Sequence, residues 1–384
     1  MKTHLICALA LTLTTACLPT LNTQEDSPDA SLDASPSAGE FAFSSVSRSV
    51  RLGVTGSEDT PIEFINAEAC EGSPILSTTD QDVISFEDDT PNDSAALLSP
   101  EGAGVGILKA TCGAQFDTLE VVVLPVDAVR LSDVRLWSRG DLGVEFQAGA
   151  DTTKSVSRWR NLARQSPHFG QDEDAQSPHY DNERGEARLS FRISSESNAI
   201  ERPAGLTLLD EDEEKSPLTF EDSVTALFVV ETKEEEERFH ALLESNVGGI
   251  YNVLLNTTDA ASEKVGVGAR PVGAIQEGMR WRHLEMPASG SAKGTPFGVV
   301  LERQEAHVKL TPYPYDQGRE YTISLPPSTS PVFSVETLGL SRFAITNGDE
   351  ALTGHVYEVL LIDAALAPDE VAQVLAAMKK QVSF

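Results

Sequence analysis

The stretch Gly354-His355-Val356-Tyr357-Glu358-Val359-Leu360-Leu361-Ile362-Asp363, followed by Ala365-Leu366-Ala367-Pro368-Asp369-Glu370-Val371, reads as a strand and then a helix. The stretch 355–362, mostly apolar and ending in the run Val359-Leu360-Leu361-Ile362, is strand-length and bounded by Gly354 and Asp363. Pro368 suits a first helical turn, Asp369 and Glu370 suit a helix N-terminus, and Lys379 and Lys380 suit its C-terminus. Val371, Val374, Leu375 and Met378 fall on one helical face, which predicts that the helix docks on the sheet. Upstream, strand patterns recur at 134–137, 187–193, 224–231, 250–255, 298–302, 307–310, 321–325 and 343–346, with almost no helical pattern between them. That rhythm predicts an all-β, two-sheet antiparallel sandwich or jelly roll over residues 129–384. The acidic runs 210–214 and 234–237 read as solvated turns.

The same closing stretch resembles the end of concanavalin A-like, laminin-G-type jelly rolls, which finish on a Gly-x-Ile-x-Glu strand, an apolar run to Asp and a short helix. Leu136-Trp137 and Val156-Ser157-Arg158-Trp159-Arg160-Asn161-Leu162 are similar to that family's opening strands, and Leu189-Ser190-Phe191 to its next one. The middle third matches in strand rhythm alone. The resemblance implies a concanavalin A-like jelly-roll sandwich with a short C-terminal helix, and a role in recognition.

Residues 41–126 read as a second, smaller β unit. Val50-Arg51-Leu52-Gly53-Val54 alternates with period two, and Thr118-Leu119-Glu120-Val121-Val122-Val123-Leu124 sets Leu119, Val121 and Val123 on one face. The run from Gly104 through Cys112-Gly113 to Pro125 resembles the last hairpin of a bacterial Ig-like domain, which implies an Ig-like β-sandwich.

The N-terminus predicts export. A short, weakly basic start, an apolar run over 5–13 and Thr14-Thr15-Ala16-Cys17 match residues 1–17 to a signal peptide, too short to remain as a membrane span. The junction resembles a bacterial lipoprotein signal, which implies lipidation of Cys17. It departs from that pattern in having Thr14, with Leu13 one place further back. Ordinary signal-peptide cleavage after an Ala-x-Ala-like site, releasing a soluble chain, is the other reading of the junction. Residues 18–40 carry Glu25, Asp26, Asp29, Asp33 and Glu40 and no base, among Pro, Ser, Ala and Thr. Such a segment predicts a disordered acidic tether whose ends lie on the order of 25 Å apart. Once Cys7 leaves with the signal and Cys17 takes the lipid, Cys70 and Cys112 remain as an even pair in an oxidising compartment, and a disulfide is expected. The resulting expectation is an outer-membrane or cell-surface protein that meets the membrane by its lipid anchor only.

Composition limits the partners. Lys and Arg number 29 against 60 Asp and Glu, a formal net charge of -31 over 384 residues. A polyanion of that size is repelled by phosphate backbones, which argues against nucleic-acid binding.

The sequence lacks the common catalytic patterns. There is no Glu-x-Asp-x-x-Glu strand of the kind sandwich glycosidases use, no His-Glu-x-x-His and no Gly-x-Ser-x-Gly. His168 and His179 share a Pro-containing polar segment that reads as loop rather than as a metal site. Trp137 and Trp159 lie in strand patterns and read as packing. Trp281, between Arg280 and Arg282, is the candidate for ligand stacking. Laminin-G-type domains often carry calcium at their rims. Asp181 in Asp181-Asn182-Glu183, and Asn347 and Asp349 in Asn347-Gly348-Asp349-Glu350, supply hard oxygen ligands for Ca2+. The expectation is an envelope lipoprotein with a non-catalytic recognition domain for glycan or extracellular protein ligands. The competing readings are a glycan hydrolase on the same fold and a ligand-free structural component.

Overall fold

A computed structural model describes residues 41–382, except 45–48, 56–59, 68–69, 71–72, 88–94, 149–153, 174, 183–185, 192–203, 233–238, 245–250, 258–264, 272–283, 286–295, 305–306, 314–320, 325–332, 340–351 and 381. The chain is all-β with a short C-terminal helix, as the strand rhythm predicts. The strand expected at 343–346, the acidic run 234–237, Cys17, Trp281, Asn347 and Asp349 lie outside the described residues.

The N-terminal strands make two four-stranded sheets. One runs Ala42–Phe43, Thr60–Ile65, Ala95–Pro100, Ile84–Glu87; the other runs Ser49–Thr55, Gln115–Asp127, Gly104–Cys112, Ile75–Thr78. Ser49–Thr55 pairs with Gln115–Asp127 in parallel, and the other ladders here are antiparallel. Leu119, Val121 and Val123 point together into the core between these sheets, with Leu52, Ile62, Ile84, Leu98 and Leu108. Cys70 and Cys112 are bonded, with Cα atoms 5.2 Å apart, tying the segment after Thr60–Ile65 to the end of Gly104–Cys112.

The C-terminal strands make larger sheets. An eight-stranded sheet runs His179–Asp181, Arg188–Phe191, Gly354–Ile362, Ser223–Thr232, Phe297–Gln304, His307–Tyr313, Tyr321–Ser324. Val134–Arg139 pairs with the far half of Gly354–Ile362. Facing it, a nine-stranded sheet begins Val144–Phe146, Val156–Trp159, His168–Gln171, Leu206–Leu209, Thr337–Leu338. Trp159, Phe169, Leu206 and Leu208 from the nine-stranded sheet meet Leu189, Phe191, Phe228, Val356, Val359 and Leu361 from the eight-stranded one. His168 and His179 therefore begin strands in different sheets, which corrects their reading as one shared loop. The flanking prolines punctuate strand starts rather than a turn.

The outer face of the eight-stranded sheet is also buried. The helix Pro368–Lys379 lies against Gln115–Asp127 and brings Val371, Val374, Leu375 and Met378 into one buried cluster with Trp137, Leu360 and Ile362, docking through the face its sequence predicts. Each such side chain is worth about 1.5–3 kcal/mol when fully buried. The helix start is fixed twice: the Ala367 N–H donates to Glu370 at 2.6 Å, and Arg130 holds Glu370 at 2.8 Å. Beside the helix, Ala103, Val122, Leu124 and Val126 of the N-terminal sheets join the same cluster. The N-terminal sheet pair is thus seated on the C-terminal one. This explains why every residue of Gly354–Ile362 is buried, the polar His355 and Glu358 among them.

Candidate functional site

Two edge strands meet where the C-terminal sheets join. Val144–Phe146 edges the nine-stranded sheet and His179–Asp181 edges the eight-stranded one, and an isolated bridge links Ser155 to His179. The ladder of Val144–Phe146 shifts register between Glu145 and Phe146, an irregularity of the kind that re-aims a side chain. Phe146 is 44% exposed. Its ring meets Tyr180 edge-on, with centroids 5.5 Å apart, while Tyr180 rests its body on the main core. Burial and the nearby Asp141 raise the Tyr180 pKa, so its hydroxyl stays protonated. Next to the rings, the Gln147 amide donates to Gln171 Oε1 and to Ser177 Oγ, each at 2.7 Å. Backbone bonds from Gln147 to Ser155, Val156 to Pro178 and Tyr180 to Lys154 hold these segments together. The result is an exposed aromatic flanked by amide and hydroxyl groups on a strand-supported rim.

Behind the rim lies a buried polar network that the sequence did not announce. Asp181 stands opposite Arg188 across the ladder, and its Oδ2 accepts from Arg188 Nε and Nη2 at 3.3 and 3.1 Å. Arg188 Nη1 donates to Glu231 at 2.9 Å and to the Tyr357 hydroxyl at 2.7 Å, and that hydroxyl donates to Glu231. Burial opposes the Arg188 charge, but its bonds to Tyr357 and Asp181 and the charge of Glu231 outweigh that and raise its pKa. Burial and the bond to Glu231 push the Tyr357 phenol well up. Ser190, His355 and Glu231 lie in register on adjacent strands of the same face. Arg188, Glu231 and His355 are at most 2% exposed, so the network braces the rim from inside.

Asp181 was expected among calcium ligands. In the structure its Oδ2 sits on the Arg188 guanidinium, and no group of three His, Cys, Asp or Glu poised to hold a metal occurs among the described residues. Trp137 and Trp159 are both fully buried, in the outer and main cores respectively. His168 lies beneath the turn at 210–214, with Nδ1 2.9 Å from Arg158 and Nε2 3.8 Å from Glu213. Burial and the Arg158 charge push its pKa down to about 4. Gly170 on the same strand leaves room for Leu209, since a Cβ there would come within 2.3 Å of Leu209 Cδ1.

The described carboxyl with the clearest rise is Glu358, pushed by burial to about 7 and only 1% exposed. Its Oε1 accepts from the Trp137 indole at 2.6 Å, under the helix and the N-terminal sheets.

No family model matches the chain, and no curated protein sequence does. Several solved structures are similar at low overlap. Domain 4 of the arabinanase AbnA from Geobacillus stearothermophilus, in complex with arabinotriose, is 10% identical with a TM-score of 0.38, covering 63% of this chain and 98% of that one. A Trypanosoma rangeli sialidase in complex with sialic acid is 10% identical with a TM-score of 0.40, covering 82% of this chain and 46% of that one. The enzymatically active domain of tailspike protein 2 from bacteriophage CBA120 is 12% identical with a TM-score of 0.36, covering 54% of this chain and 30% of that one. The chain thus spans less than half of the sialidase and less than a third of the tailspike chain. Likeness at this level carries nothing about what the chain binds or does.

Proposed function

We propose that the chain is an exported, lipid-anchored envelope protein whose C-terminal sheets recognise glycan without turning it over. The observation that carries this reading is the Phe146–Tyr180 rim with Gln147, Gln171 and Ser177 beside it. Sugars present apolar C–H faces edged by hydroxyls, which suits an exposed ring flanked by amide and hydroxyl groups. The absence of turnover is supported by the position of Glu358. A poised acid must reach the leaving group, and this raised carboxyl is sealed beneath the helix. The strand order of the four-stranded sheets, with Ser49–Thr55 paired in parallel to the last strand, Gln115–Asp127, supports an Ig-like reading of residues 41–126. Lipidation at Cys17 and an acidic tether over 18–40 place that unit on the membrane side. A glycan array probed with the mature chain and with Phe146→Ala tests the proposal. Glycan signals that drop at least about tenfold in the variant support it; no glycan signal, or signal unchanged in the variant, overturns it.

A further inference from the structure

The junction between the N-terminal sheets and the outer face of the eight-stranded sheet contains a buried acid with an unusual set of neighbours. Glu358 lies directly opposite Arg139 in the ladder between Gly354–Ile362 and Val134–Arg139. The guanidinium nevertheless bonds elsewhere. Arg139 Nε donates to Asp141 Oδ1 at 2.8 Å, Nη2 donates to Asp141 Oδ2, and Nη1 donates to the Ala103 carbonyl at 2.8 Å. That carbonyl belongs to the N-terminal sheets, next to the strand Gly104–Cys112. Glu358 keeps one bond, from the Trp137 indole, and its Oε2 is buried with no hydrogen-bond partner among the described residues.

Among the described residues, the other charged or titratable groups on this side of the sheet have partners of their own. Arg188 and Glu231 meet Tyr357 further along the same face, with His355 in register beside Glu231; Lys309 pairs with Glu302 at 3.2 Å, Arg160 with Glu120 at the junction, and Arg130 with Glu370 at the helix start. Opposite Glu358 on Ser223–Thr232 stands Val229, and the helix contributes the apolar Val371, Val374, Leu375 and Met378. Arg139 is thus the cation best placed to answer a charge on Glu358, and Asp141 is its competitor. A neutral carboxyl can be left with one bond in such a site, whereas an ionised one must find a cation.

We propose that Glu358 is a proton-operated latch that sets how firmly the N-terminal sheets are seated on the C-terminal ones. With Glu358 protonated, Arg139 stays on Asp141 and on the Ala103 carbonyl. Once Glu358 ionises, it draws Arg139 toward itself, the Ala103 bond is lost, and the seat loosens. Burial holds the Glu358 pKa near 7, so the change falls in the range an envelope protein meets outside the cell.

The test uses the full chain with nitroxide labels on non-natural residues at Ser77, in the N-terminal sheets, and Glu211, in the C-terminal ones; both positions are exposed. Distance distributions are recorded from pH 5.5 to 8.5 alongside 13C titration of the glutamate carboxyls. The latch predicts one narrow distribution at low pH and a second, longer-distance population at high pH. Its midpoint coincides with the Glu358 titration, and the ratio of populations rises up to about tenfold per pH unit above that midpoint. Glu358→Gln should stay narrow throughout. Asp141→Asn, which removes the competitor and a nearby like charge, should move the midpoint to lower pH. Three results would overturn the latch: an unchanged distribution while Glu358 titrates, a Glu358→Gln chain that still loosens, or a Glu358 carboxyl that does not titrate between pH 5.5 and 8.5.

Discussion

Arg188 and Glu231, 43 residues apart in the chain and carried by the two strands that flank Gly354–Ile362, meet at 2.9 Å, and neither side chain is more than 2% exposed. A charge pair this deeply buried contributes little net stability relative to well-packed apolar groups, but removing one partner strands the other. Arg188→Met should therefore cost about 3–5 kcal/mol in urea unfolding. Tyr357→Phe removes bonds to the charged groups but leaves the ion pair, and should cost less, about 1.5–3 kcal/mol. Equal losses for the two variants would show that the phenol, not the ion pair, holds the network.

The pH dependence of stability contains two opposing contributions. The Glu358 pKa rises on folding from 4.5 to about 7, so between those values the folded chain holds a proton that the unfolded chain has released. Its penalty grows as pH rises through that window and is complete above 7, on the order of 3 kcal/mol. The His168 pKa falls on folding from 6.5 to about 4. Its neutral form favours the fold fully above pH 6.5, and that contribution is lost as pH falls toward 4, with a similar magnitude. The two slopes partly cancel between pH 4.5 and 6.5. Unfolding free energies should therefore be nearly flat there for the unaltered chain. Glu358→Gln should show stability falling toward acid, and His168→Asn should show it falling toward base. Parallel profiles for both variants would contradict the assignment.

The Cys70–Cys112 bond closes a loop with a sequence separation of 42. On the chain-entropy model it restricts the unfolded state by roughly 4 kcal/mol. Cys112→Ser should lower stability by that order and yield one free thiol under denaturing conditions. Full stability without the bond would mean that the core between the four-stranded sheets suffices alone.

Cys17→Ala tests the anchor. The variant should leave the membrane fraction and appear in the soluble exported fraction. Unchanged fractionation would show that something other than a lipid at Cys17 retains the protein.

Much of the architecture was legible because its signals are local. The apolar run ending at Ile362, the capped helix behind it and the alternation of Leu119, Val121 and Val123 all match the structure. The seat of the N-terminal sheets was signalled less clearly. Val121-Val122-Val123-Leu124 is apolar on both faces, which marks a strand buried on both sides, but the partner for the second face lies far away in sequence. The polar network was hidden for a different reason. Glu231 sits near the end of Ser223–Thr232 and Arg188 at the start of Arg188–Phe191, where charges ordinarily face water. Only the ladder through Gly354–Ile362 brings them together. Phe146 gave no signal, since one aromatic in a three-residue edge strand is indistinguishable from packing until its exposure is known.

The central claim, recognition at the Phe146 rim without turnover, is tested most directly by incubating the mature chain with insoluble β-glucans, galactans and peptidoglycan. Retention on each polymer and release of reducing ends are measured in the same tubes, for the unaltered chain and for Phe146→Ala. The account predicts retention on at least one polymer, loss of most of it in the variant, and no reducing ends from either chain. Reducing ends that disappear when a single Asp or Glu is replaced would contradict it and identify a hydrolase.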